Sequence, residues 1–118
     1  MELPQEIEAF YTIPAVRREL AQRLVKNGLT QRLVASKLGV TEAAVSQYLS
    51  NKRGTTIEYP ADIRAALDKA TKRITTGTDD ESRREIISLC ELFKDAKVIC
   101  TIHKQRADVD DGCTSCYD

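Results

Sequence analysis

The chain has 118 residues, of which 42% are hydrophobic and 31% are charged, and its 18 basic and 18 acidic side chains give a net charge of zero. This length fits one compact domain with an appended small module and excludes two independent domains. The composition is that of a folded globular protein and excludes a largely disordered chain. The sequence has no apolar run long enough to cross a bilayer and no signal-peptide layout at its N-terminus, so we expect a cytoplasmic protein.

The charges are unevenly distributed along the chain. Residues 15–54 carry eight basic and two acidic side chains, whereas residues 79–118 carry six basic and ten acidic ones. A basic front half joined to an acidic back half indicates that the two halves have different tasks. We therefore expect a polyanionic partner to contact the first half only.

Helix start and stop signals recur along the chain. Thr12 is a candidate N-cap for a first helix that ends at Asn27-Gly28, and Thr30 and Thr41 are candidate caps for the next two helices. Apolar residues at helical spacing predict two more helices, over residues 61–75 and 80–96. The pattern predicts an all-α fold.

The stretch from Gln31 to Ser50, QRLVASKLGVTEAAVSQYLS, fits the twenty-position layout of a helix-turn-helix. Ala35 takes the fifth position, where two helices cross closely and a larger side chain would separate them. Gly39 takes the ninth position, in the turn, where we expect a positive φ. Val45 takes the fifteenth position, on the inner face of the second helix. The other expected core positions of the motif are Leu33 or Val34, Leu38, Val40 and Leu49.

A helix-turn-helix places the start of its second helix in the major groove of DNA. That helix begins at Thr41 here. Gln47 has the amide that pairs with adenine, Glu42 can accept from cytosine, and Ala43 or Ala44 can touch a thymine methyl. Side chains at the start of the first motif helix and just after the second are better placed for phosphates, which fix position without reading sequence. The predicted DNA-binding residues are Gln31, Arg32, Thr41, Glu42, Ala43, Ser46, Gln47, Asn51, Lys52 and Arg53.

The run GLTQRLVASKLGVTEAAVSQYLSNKRG, residues 28–54, resembles the XRE/Cro-type helix-turn-helix regulators. More narrowly, the chain is similar to a group of short prokaryotic, largely archaeal, transcriptional regulators with a cysteine-bearing C-terminus. The segments LPQEIEAFYTIPAVRREL, LCELF and CTIHK carry this second resemblance over nearly the whole chain. It implies a lambda-repressor-like domain of five helices, followed by an additional helix and a cysteine-rich metal-binding tail.

The last 29 residues contain all four cysteines and the only histidine of the chain, namely Cys90, Cys100, His103, Cys113 and Cys116. In a cytoplasmic protein such cysteines favour metal ligands or redox thiols over a disulfide framework. The tail has few apolar side chains, so a bound metal would supply the folding free energy that it lacks.

Two ligand sets are chemically sensible. Cys100, His103, Cys113 and Cys116 form a compact C-x2-H and C-x2-C arrangement, which suits tetrahedral zinc. Replacing His103 by Cys90 gives four thiolates, as an iron–sulfur cluster accepts. The compact spacing favours zinc, whereas the family resemblance and the logic of regulation favour the cluster, which is our first expectation. A reversible disulfide between Cys113 and Cys116, or thiols without a shared role, are the remaining alternatives.

The expected function is a sequence-specific DNA-binding transcription regulator whose tail cysteines bind an iron–sulfur cluster and sense redox state or iron. We expect a helix-turn-helix domain over residues 1–76 and a sensing and dimerisation region over residues 77–118. The partner is double-stranded operator DNA, bound by a homodimer with helices 61–75 and 80–96 as its surfaces.

Three alternative functions remain open from the sequence. They are a regulator with a structural zinc tail, an antitoxin-like or phage-type repressor controlled by a protein partner, and an electron carrier or redox enzyme built on the cysteines. The sequence contains no Ser/His/Asp arrangement and no Gly-rich phosphate loop, so we expect that it is not an enzyme and has no small-molecule substrate.

Overall fold

The computed structural model describes residues 3–50 and 59–95, and every regular element in these two ranges is helical. A short α1 and a π-helical turn at the N-terminus precede five longer helices. The elements are α1 (Pro4–Ile7), the π-turn (Glu8–Thr12), α2 (Ile13–Lys26), α3 (Gln31–Leu38), α4 (Glu42–Ser50), α5 (Ala61–Thr76) and α6 (Asp79–Asp95). The all-α prediction is therefore confirmed for the described residues. From Thr30 onward, each described helix begins and ends within one residue of its predicted position.

The N-terminal segment differs from the prediction that Thr12 caps the first long helix. Thr12 has helical φ and ψ of −69° and −55°, makes no side-chain capping bond and is buried. An N-cap residue needs extended backbone, so a chain that is already helical before Thr12 has no place for a cap there. The prediction was wrong because the helical turns begin at Pro4. Pro14 lacks an N–H and cannot bond the preceding turn, and the wider π-turn ends two residues before it, at Thr12.

Helix α5 carries the predicted apolar stripe on its inner face, because Ile63, Leu67, Ala70 and Ile74 are all buried. This stripe packs mainly against α6 and also against α2. Helix α6 additionally contacts α2, α3 and the π-turn. The last helix is therefore part of the same core as the helix-turn-helix.

The turn between α5 and α6 brings two helix ends close together. The backbone N–H of Glu81 donates to Thr78 Oγ1 at 3.2 Å, which caps the start of α6. At Gly77 an added Cβ would lie 2.6 Å from the carbonyl oxygen of Arg73. Glycine is therefore required here by close approach of the backbone, since its φ of −91° is open to any residue.

Helix α2 lies at the centre of the core and contacts α3, α4, α5 and α6. The ion pair between Arg23 Nε and Asp68 Oδ1, at 3.0 Å, joins α2 to α5 at the surface. Burial of the apolar faces is what fixes α3 and α4 relative to the rest of the chain. The largest fully buried apolar side chains are Phe93, Leu20, Leu24, Leu38, Ile63, Leu67, Ile74, Val16, Val34 and Val45.

Candidate nucleic-acid interface

The two motif helices α3 and α4 both begin at a threonine cap, as predicted. The backbone N–H of Leu33 donates to Thr30 Oγ1 at 3.2 Å, and that of Ala44 donates to Thr41 Oγ1 at 3.1 Å. Each bond satisfies one of the N–H groups that a helix start leaves without a partner. The caps therefore fix where both helices begin, and α4 starts at Glu42.

The turn between the motif helices contains the expected left-handed glycine. Gly39 ends α3 with φ 70° and ψ 36°, and an added Cβ would meet nothing within 4 Å. Its backbone conformation, and not crowding, is therefore what favours glycine. The backbone N–H of Val40 donates to the carbonyl of Ala35 at 3.0 Å, which closes the helix end. The prediction of a positive φ at this position is confirmed.

The inner faces of α3 and α4 pack as the motif layout requires. Ala35 and Val45 are both buried, and the two helices are in contact. Of the two residues left open for the small core, Val34 is fully buried, whereas 45% of Leu33 is exposed. A small side chain at position 35 allows the close approach of α3 and α4. The tertiary structure thus has the geometry of a helix-turn-helix.

The predicted DNA-contacting residues within the described ranges are all exposed. Glu42 and Ser46, and likewise Ala43 and Gln47, are four residues apart on α4, so they form one surface strip opposite the buried Val45. The side chains of Glu42 and Gln47 make no hydrogen bond with residues 3–50 or 59–95. Gln31 and Arg32 lie in the first turn of α3, and Thr41 lies directly before α4. Asn51, Lys52 and Arg53 lie outside the described residues.

The basic residues of the front half are spread over several surfaces. Arg23 pairs with Glu19 and Asp68, and Lys37 Nζ donates to the carbonyl oxygen of Gly77 at 3.2 Å. Arg32 is exposed in the first turn of α3. From the sequence, these cations were all predicted to belong to one basic region, and their pairing with other residues was not predicted. The only available signal was the spacing of Glu19 and Arg23, which is the i,i+4 spacing of a helical ion pair.

The predicted metal ligands are mostly outside the described ranges, which exclude Cys100, His103, Cys113 and Cys116. Cys90 lies on α6, where 6% of it is exposed. It is one of the residues that line a groove between α6, α2 and α3. Among residues 3–50 and 59–95 no group of three or more His, Cys, Asp or Glu side chains is arranged to hold a metal ion. The described part of the chain supplies a single candidate thiolate.

Comparison with known proteins agrees with this geometry. A family model described as helix-turn-helix, HTH_3, matches residues 20–70, which run from α2 to α5 and include both motif helices. No curated protein and no solved structure is significantly similar to the chain. No helix in the described ranges is long and apolar enough to cross a membrane. The match supports the assignment of this segment as a helix-turn-helix.

Proposed function

We propose that this protein recognises a specific DNA operator through the exposed strip of α4. The observation that carries the proposal is the polarity of this helix, because Val45 is fully buried while Glu42, Ser46 and Gln47 are exposed. A helix that is fixed by a buried inner face and has an exposed outer face can enter a major groove without rearrangement of the domain. The family match over residues 20–70 supports the same function.

The exposed side chains of α4 differ in the hydrogen-bonding groups that they offer to base edges. Gln47 has one donor and one acceptor at its amide, the pattern that binds the N6 and N7 edge of adenine. Glu42 has only acceptors when ionised, which suits the N4 amino group of cytosine. Arg32, in the first turn of α3, is suited to a phosphate, as are Lys52 and Arg53 from their position in the sequence after α4.

Replacing Gln47 by alanine should lower affinity for the selected operator by about 1–3 kcal/mol and relax the preference at one base pair. The operator is first selected from random-sequence DNA with the full chain, and affinities are then measured by fluorescence anisotropy on operators with each single base change. Arg32→Ala is the matched control, since loss of a phosphate contact should weaken binding on all sequences and lower the salt slope by about one. Equal losses for both variants on every sequence would contradict the assignment of α4.

A homodimer is the second part of the proposal, because a two-fold operator needs two copies of α4. Large apolar side chains are exposed at the π-turn, where 64% of Phe10 is accessible, and on α6, where 52% of Ile87 is accessible. The π-turn packs against α6, so these side chains belong to neighbouring elements. The exposed residues of α5 are charged or small, as at Lys69 and Lys72. The apolar surface of the π-turn and α6 is therefore the better dimer surface.

Replacing Phe10 by glutamate should convert a dimer into a monomer, because a charge at the centre of an apolar interface loses its hydration without gaining a partner. Sedimentation velocity of the full chain at several concentrations measures the change. Lys72→Glu, on the exposed face of α5, is the control that should remain dimeric. A wild-type chain that sediments as a monomer at all concentrations would contradict the homodimer. The partner of the apolar surface would then be another protein.

The third part concerns the cysteines of the C-terminal region. We propose that Cys90, Cys100, Cys113 and Cys116 hold an iron–sulfur cluster, which supplies a redox-sensitive group when bound. Support comes from the clustering of all four cysteines in the last 29 residues and from the position of Cys90 on a groove wall. The alternative is zinc, held with His103 in the place of Cys90.

Anaerobically purified His103→Ala should keep its iron and sulfide, and Cys90→Ala should lose most of both, if the cluster uses four thiolates. Elemental analysis and the visible absorption spectrum measure this. Neither change should remove the helical circular dichroism signal, which serves as the folding control. A colourless wild-type chain with one zinc, lost in His103→Ala and retained in Cys90→Ala, would show the zinc set instead.

A further inference from the structure

Tyr48 is the aromatic side chain of α4, and it is half-buried. Its ring packs against the core of the domain. Its hydroxyl makes no hydrogen bond with residues 3–50 or 59–95, and the phenol oxygen is not among the buried side-chain atoms that lack a partner there. The ring is therefore fixed by packing, while the hydroxyl is open to solvent and free to bind an acceptor.

The position of Tyr48 around α4 follows from the helical period of about 100° per residue. With Val45 in the core, the exposed strip runs across the outer face from Glu42 to Gln47. Tyr48 follows Gln47 by one residue and Ala44 by four, so Ala44 and Tyr48 form the border of the strip between Gln47 and the core. Both residues are half-buried, as a border between an exposed and a buried face requires.

The width of the major groove decides what a side chain at this border meets. An α-helix with its side chains is about 10–12 Å across, and the major groove of B-DNA is about 12 Å wide. Side chains at the centre of the outer face of a bound helix point at base edges, whereas those at its borders lie beside the sugar–phosphate walls. A phenol O–H at the border therefore meets phosphate oxygens, which accept hydrogen bonds and carry no sequence information.

We propose that the Tyr48 hydroxyl donates to a phosphate of the operator and thereby fixes the orientation of α4 in the groove. This contact rests on the proposed recognition of DNA by α4 and adds a positioning residue to it. The ring is already held by the core, so little conformational entropy is lost when the hydroxyl binds. The contact differs from those proposed for Arg32, Lys52 and Arg53, because a phenol is uncharged and neutralises no phosphate.

Tyr48→Phe removes the hydroxyl and keeps the ring. Affinity for the selected operator, measured by fluorescence anisotropy with the full chain, should fall by about tenfold, the size of a hydrogen bond to a charged group. The loss should be equal on operators with each single base change, because the contact reads no base. The salt slope should remain that of wild type, because no cation is removed.

The stability of the variant separates a DNA contact from a role in folding. The urea midpoint of Tyr48→Phe should equal that of wild type, since the hydroxyl has no partner in the described ranges. Tyr11→Phe is the matched control, because it removes a hydroxyl from the half-buried tyrosine of the π-turn, and it should bind the operator as wild type.

Failure of the Tyr48 contact and failure of operator recognition give different results. A Tyr48→Phe chain that binds as wild type, on an operator for which Gln47→Ala loses a base preference, overturns the contact alone. So does a Tyr48→Phe chain with an altered preference at one base pair, because the hydroxyl then reads a base edge. A lowered urea midpoint with weaker binding also overturns it, since the hydroxyl then acts in folding. A wild-type chain that selects no operator overturns the proposed function together with the contact.

Discussion

An alanine in place of Phe93 should lower the free energy of unfolding by about 3–5 kcal/mol. Phe93 is fully buried on α6, and its ring lies 5.4 Å from that of Tyr59, centroid to centroid. Truncation removes the aromatic contact, the transfer free energy of the ring and its share of the packing between α5 and α6. This loss is a large fraction of the total stability of a small domain, which is about 5–15 kcal/mol.

Urea unfolding followed by circular dichroism measures the change. Arg84→Ala is the matched control on the same helix, since that side chain is exposed and its loss should cost less than about 1 kcal/mol. The transition should stay single, because α6 packs on α2, α3 and α5 together. A small effect of Phe93→Ala, or two separate transitions, would mean that α6 is not part of the helix-turn-helix core.

Replacing Val45 by aspartate should unfold the helix-turn-helix, with a loss of about 4 kcal/mol or more. Val45 is fully buried on the inner face of α4, where a carboxylate loses its hydration. Loss of DNA binding then follows from loss of structure. Thermal unfolding and far-ultraviolet circular dichroism should both show the change without any DNA present.

Ser46→Asp introduces the same charge one residue further along α4, at an exposed position. We expect unfolding within about 0.5 kcal/mol of wild type, because a surface substitution disturbs no packing. If α4 is the recognition helix as proposed, operator affinity should nevertheless fall by about tenfold or more, since the new charge would face the DNA phosphates and bases. Comparison of Val45→Asp with Ser46→Asp therefore separates the effect of the charge on folding from its effect on DNA recognition. A Ser46→Asp chain that binds DNA as tightly as wild type would place the interface elsewhere.

The helix-turn-helix was largely predictable from the sequence because its requirements are local. Ala35, Gly39 and Val45 occupy positions whose demands follow from helix crossing, a left-handed turn and burial, and the structure meets all three. The caps at Thr30 and Thr41 are equally local, since each bond spans three residues. The prediction at Thr12 failed because a capping pattern does not reveal that the preceding residues are themselves helical.

Periodicity and capping act over a few residues, so the sequence predicted the five long helices, their order and the position of the motif. The packing of these helices against one another decides which charged and apolar side chains stay exposed or unpaired. Arg23 is paired across 45 positions of sequence with Asp68, while Arg17 is left with a buried donor in a groove formed by three helices. Such pairings depend on how helices pack against one another, and contacts between distant residues leave no local pattern.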